Sequence, residues 1–63
     1  MKRRELSRRL SELGWRFLRQ GGNHELWTNG ETFLAVPRHA EVVEFTAKRI
    51  LRTAALNPGP RMG

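Results

Sequence analysis

Residues Gln20 to Gly30 read Gln-Gly-Gly-Asn-His-Glu-Leu-Trp-Thr-Asn-Gly, and the side chain in this run that can exchange a proton near neutral pH is the imidazole of His24. An ordinary histidine titrates at about pH 6.5, so it can serve as base or acid under physiological conditions. RNA carries its own nucleophile, the 2′-hydroxyl. One positioned base, with cations on the phosphate, can therefore cleave it. General acid–base work contributes about 10² to 10⁴-fold, and electrostatic stabilisation of the phosphorane must supply much of the rest. The structural alternative is a strand histidine with a satisfied hydrogen bond, and residue type alone does not choose between the two.

Other groups could join it. His39 follows Pro37-Arg38 in a loop and is an auxiliary candidate, as a second acid or a phosphate contact; a solvated loop histidine is the plain reading. Gly21-Gly22 makes a turn, and at Gly22 and Asn23 the backbone could approach a phosphate closely. Arg16 and Arg19 border the same stretch as phosphate contacts. Trp27 is a candidate for stacking a base, whereas Trp15 suits a small core beside Leu13 and Phe17. Lys48, Arg49 and Arg52 fall in the first turns of a second helix, where amides already favour anions; like charges on a solvated helix face are an equally ordinary reading. His24, His39 and a glutamate have no recognised metal-ligand spacing, so neither a metal nor a cofactor is expected.

Sixty-three residues make one domain at most. A chain of this size buries only about 60% of its unfolded surface. Its active site should be a shallow surface, which suits a polymer better than a small metabolite. Twelve Lys and Arg oppose six Glu, for a formal charge of +6. Ten of those cations are arginine, the residue that grips phosphate bidentately. An anionic partner is expected, either nucleic acid or an acidic protein. Cysteine is absent, which excludes disulfides and thiolate metal sites. No apolar run approaches the roughly 20 residues of a membrane span and no signal-peptide pattern opens the chain, so a cytoplasmic protein without membrane association is expected.

Positioning these residues requires five elements. Leu6, Leu10 and Leu13 fall at i, i+4, i+7 and predict a helix over 2–13, with Glu5 spaced to pair with Arg9 and Arg8 with Glu12. Gly14 is placed to end it in a left-handed cap. Trp15 to Arg19, Asn23 to Thr28 and Thr32 to Val36 read as strands. Asn29-Gly30 suggests a tight type I′ hairpin, and Pro37 a stop. Thr46 suggests the N-cap of a helix whose stripe is Ala47, Ile50, Leu51 and Ala54. The tail from Asn57 to Gly63 reads as disordered. The order α-β-β-β-α defines an α+β fold in which a three-stranded antiparallel sheet carries both helices on one face. Strict alternation puts His24, Leu26 and Thr28 on one sheet face and Glu25 and Trp27 on the other. A bulge near the glycines would reverse this at His24, so its face stays open.

Leu13-Gly14-Trp15, Gly22-Asn23-His24-Glu25-Leu26-Trp27, Val36-Pro37-Arg38-His39 and the helix from Thr46 to Leu56 resemble, in order and spacing, the HicA toxins of type II toxin–antitoxin systems. The resemblance covers most of positions 2–56. It departs at Asn23, where Ser or Gly is usual, in the loop 40–45, and at Ala55, where glycine is usual. The resemblance implies a single domain over 1–56 with a double-stranded-RNA-binding-domain-like fold. It also implies an endoribonuclease that cleaves mRNA and blocks translation, with His24 as the catalytic histidine. The implied partner is a HicB-type antitoxin covering the active surface, with DNA engaged only indirectly through that antitoxin. Two rival readings stay open: a non-catalytic double-stranded-RNA-binding module, and a basic fragment that recruits an acidic protein.

Overall fold

Leu6 and Leu10 lie one turn apart, and both are fully buried in α1 (Arg3–Glu12). The polar faces of α1 close on themselves through two i,i+4 ion pairs, Arg9–Glu5 at 2.9 Å and Arg8–Glu12 at 3.0 Å. Each is exposed and is worth only a few tenths of a kcal/mol. The helix ends at Leu13, where Gly14 takes φ +91°. There Gly14 N–H donates to the Ser11 carbonyl and Trp15 N–H to the Leu10 carbonyl, the two bonds of a Schellman cap. The chain thus turns sharply into the sheet.

The computed structural model describes residues 1–59. Three antiparallel strands follow α1 in sheet order β1-β2-β3: β1 (Arg16–Gly21), β2 (His24–Thr28) and β3 (Phe33–Pro37). α2 (Glu44–Leu56) completes the expected α-β-β-β-α order. One core joins Leu6 and Leu10 of α1, Ala47, Ile50 and Ala54 of α2, and Trp27 and Val36 of the sheet. Both helices therefore cover one sheet face, as in a double-stranded-RNA-binding domain. Trp15 sits just ahead of β1 rather than within it. It is 2% exposed, and its indole N–H donates to the Ala54 carbonyl at 3.1 Å, tying the start of the sheet to α2.

Two local expectations are corrected. Asn29-Gly30 is not a two-residue type I′ turn, because Asn29 keeps a negative φ and only Gly30 turns positive, at +99°. The loop spans residues 29–32, between the paired Thr28 and Phe33. The Asn29 side chain takes over the work of the turn: its Oδ1 accepts from the Glu31 and Thr32 amides, both at 2.8 Å, while its Nδ2 donates to the Asn57 carbonyl at 2.8 Å. A side chain that caps the loop internally removes the need for two left-handed residues. The second correction concerns α2, which starts after Val43 rather than at Thr46; Val43 gives no side-chain cap, whereas at the other end Asn57 Nδ2 donates to the Thr53 carbonyl at 2.9 Å.

The Asn29 arrangement has consequences. Asn57 is held by it, and an added Cβ on Gly59 would meet the Asn29 and Gly14 carbonyl oxygens at 2.9 Å. Asn57 and Gly59 are therefore held close to the Asn29 loop; residues 60–63 of the expected tail lie outside the described residues. Asn29 is 3% exposed, so Asn29→Ala should leave two loop amides and one carbonyl without partners. We expect a loss of about 1–3 kcal/mol in urea unfolding. A change within about 0.5 kcal/mol, the range of ordinary surface substitutions, would show that the loop holds without this residue.

Before α1, the chain start forms a short clasp. Met1 to Arg3 lies antiparallel to Ala40 to Val42, through Arg3 N–H to the Ala40 carbonyl at 3.0 Å and Val42 N–H to the Met1 carbonyl at 2.8 Å. The Met1 amino group also meets Glu41 at 2.9 Å. That hydrogen bond raises the amine above its ordinary pKa and lowers the Glu41 carboxyl below the usual range. The pair therefore supports the clasp across neutral pH. The support fades in acid as Glu41 takes a proton and in alkali as the amine loses one.

Candidate active site and nucleic-acid interface

Residues directly opposite each other in an antiparallel sheet share a face. β2 pairs with β3 in unbroken register, His24 with Pro37 and Thr28 with Phe33. Val36 and Trp27 are buried against the helices, so Glu25, Trp27, Leu34 and Val36 define the covered face. His24, Leu26 and Thr28 define the other. No bulge falls near the glycines, and the parity left open by sequence resolves with His24 on the open face.

The bulge falls in β1 instead. Phe17 pairs with Trp27, but the next rung joins Arg19 to Leu26, leaving Leu18 as an extra residue. Arg16, opposite Thr28, and Arg19, opposite Leu26, thus share the His24 face although their positions have opposite parity. The open face then carries Arg16, Arg19, His24, Leu26, Phe33 and Ala35, and no carboxylate.

His24 opens β2, directly after a two-residue turn at Gly22-Asn23. Gly22 takes φ +58° while Asn23 stays negative, the pattern of a type II′ hairpin in which the first turn residue must be glycine. The cross-strand neighbours of His24 are Gly21 and Pro37, neither of which carries a polar side chain. The imidazole is exposed, and among the described residues it makes no side-chain hydrogen bond or ion pair. His24, Arg19, Gly21, Glu25, Leu26 and Ala35 line a shallow depression of about 150 Å³. Glu25 reaches its rim from the covered face, with its carboxylate engaged by Arg3 and the Trp27 indole. That places a proton carrier and a guanidinium in one recess of a size to admit a phosphodiester.

The other candidates separate. Arg16 lies at the far end of the face, four strand residues or roughly 13 Å from His24. His39 is exposed, two residues beyond Pro37, at the His24 end of the sheet. Trp27 is corrected: it is 5% exposed on the covered face, and its indole N–H donates to Glu25 Oε1 at 3.1 Å, so it presents no ring to a base. The aromatic that the open face does offer is Phe33, 61% exposed and opposite Thr28. Lys48, Arg49 and Arg52 are corrected too. Because α2 begins at Glu44, they fall in its second and third turns, and its first turn is acidic. Lys48 and Arg52 line a groove with Glu5, Arg9 and Glu44 on the helix layer, behind the sheet from His24.

Arg38 joins the site without having been a sequence candidate. Its N–H donates to the Asn23 carbonyl at 3.2 Å, which sets Arg38 beside the turn that carries His24. The Pro37-Arg38-His39 run is the one sign of it in the sequence, and its meaning depends on Pro37 pairing with His24.

A family model for the HicA toxin of bacterial toxin–antitoxin systems matches residues 3–56. The chain belongs to the HicA toxin family. It is thus the toxin component of such a system, and an antitoxin is its partner. No individual curated protein and no solved structure matches it. The HicA match spans both helices and all three strands, so the open face and its histidine lie wholly within the family domain. No helix of the described chain is long and apolar enough to cross a membrane.

Proposed function

We propose that this HicA toxin is a metal-independent endoribonuclease that cleaves mRNA on its open sheet face and so blocks translation. The observation carrying this reading is the exposed imidazole of His24, without a side-chain partner among the described residues, sharing with Arg19 a recess whose one carboxylate, Glu25, is engaged by Arg3 and the Trp27 indole. His24 takes the proton of the 2′-hydroxyl as its oxygen attacks the adjacent phosphorus. The bond from phosphorus to the 5′-oxygen breaks, and the imidazolium returns the proton to that leaving oxygen. Arg19 faces the charge gathering on the phosphorane. Gly22 and Asn23 let the strand approach the turn, while Arg16 extends the positive track and His39 and Arg38 flank the catalytic end.

The antitoxin partner is taken to be HicB-like and to cover this face, with any DNA contact made through it. The double-stranded-RNA-binding alternative calls for cations at the amino end of α2, which instead holds Glu44. The test is to incubate the purified chain with single-stranded RNA in excess chelator. The expected products are fragments ending in 2′,3′-cyclic phosphate and 5′-hydroxyl groups. RNA that is retained on the protein yet stays whole would sink the catalytic reading and leave a binding module.

A further inference from the structure

The positive track continues past the edge of the sheet. Beyond the Gly22-Asn23 turn, Lys2, Arg3, Arg4, Ser7, Glu25 and Ala40 line a cleft of about 510 Å³. It adjoins the His24 recess, because Glu25 lines both. Arg3 Nη1 donates to the Arg38 carbonyl at 3.1 Å and lies 3.5 Å from Glu25, and Arg38 in turn holds the Asn23 carbonyl. The cleft is thereby fastened to the turn that carries His24, and the clasp of Met1–Arg3 against Ala40–Val42 builds its wall.

Charge separates this cleft from the groove that Glu5, Arg9, Glu44, Lys48 and Arg52 line. Its single carboxylate, Glu25, is taken up by Arg3, and among the described residues Lys2 and Arg4 make no ion pair. Between the helices, by contrast, Arg9 is paired with Glu5, and Glu44 sits beside Lys48. Lys2 and Arg4 are both exposed, so their charges are available to a ligand.

We propose that the cleft of Lys2, Arg3 and Arg4 is a second phosphate subsite, which takes the backbone of a single RNA strand as it leaves the His24 recess over the Gly22-Asn23 turn. This rests on the ribonuclease reading and adds a direction to it: the strand crosses the sheet end towards α1. Such a site binds through backbone charge and is indifferent to sequence.

The test uses the full chain carrying His24→Ala, so that the RNA stays whole, and a labelled single-stranded oligonucleotide titrated across a range of salt. Removing Lys2 and Arg4 as Gln should lower the slope of log affinity against log salt by about 1.4, near 0.7 for each phosphate that is no longer neutralised. The control, Lys48→Gln with Arg52→Gln, makes the same change in net charge and should leave the slope close to that of the parent. In the cleaving background the Lys2/Arg4 pair should raise KM and spare kcat. An unchanged slope, or equal falls in both pairs, overturns the proposal. So does a loss of antitoxin affinity with RNA affinity intact. The slope is read without any cleavage, so a chain that binds RNA this way but never cuts it refutes the ribonuclease reading alone.

Discussion

His24→Ala is expected to reduce RNA cleavage by about 10² to 10⁴-fold, the range that one acid–base group commonly supplies, and to abolish toxicity on induction in a bacterial host. The substitution should scarcely touch the fold. The imidazole is exposed and among the described residues has no hydrogen-bond partner to orphan, and its neighbours across the strands are Gly21 and Pro37. Thermal unfolding of the variant should therefore overlay the parent, so that loss of activity reports chemistry. Arg19→Ala should show a related but distinct pattern, because a charge facing the phosphorane acts in the transition state more than in binding. Equal toxicity and equal mRNA decay from parent and His24→Ala, at matched expression, would remove His24 from the mechanism.

Leu10→Ala should have the opposite signature, with stability lost first and activity lost only as a consequence. Leu10 is fully buried, one turn from Leu6, in a core with few members. Truncating such a leucine costs about 2–5 kcal/mol, from lost transfer energy and the cavity left behind. A domain of this length commonly has only about 3–9 kcal/mol in total, at roughly 0.05–0.15 kcal/mol per residue. The variant should sit near its unfolding midpoint at physiological temperature, with a large drop in urea midpoint. Leu13→Ala, at a half-buried position, should lose distinctly less. If Leu10→Ala unfolds at the same urea concentration as the parent, the core has been assigned to the wrong residues. Measured together, His24→Ala and Leu10→Ala separate a chemical defect from a folding defect in the same growth assay.

Several features of this site lie open in the chain order itself. The leucine spacing in α1, the left-handed Gly14 and the i,i+4 ion pairs follow from local geometry, and each appears where local rules place it. Trp27 shows where local rules stop. An aromatic beside a candidate catalytic residue suggests a stacking platform, but strand parity turns it inward, and the exposed ring belongs to Phe33 on the other face. Lys48, Arg49 and Arg52 move for a smaller reason. The N-cap of α2 is Val43 rather than Thr46, which shifts them most of a turn further along the helix. A helix start without a side-chain cap leaves little trace in residue types.

The sequence by itself determined the classes of group available and the local elements that carry them: a proton-exchanging imidazole, a surplus of arginine, and two amphipathic helices around three short strands. These depend on interactions between residues near in the chain, whose periodicities are visible without coordinates. Tertiary structure alone decided which of those groups meet. The bulge at Leu18 brings Arg16 and Arg19 to one face, the pairing with Pro37 sets Arg38 beside His24, and the clasp at Met1–Arg3 folds three more cations around the sheet end. Each depends on register between segments far apart in sequence. A one-residue slip in that register would exchange the covered and open faces.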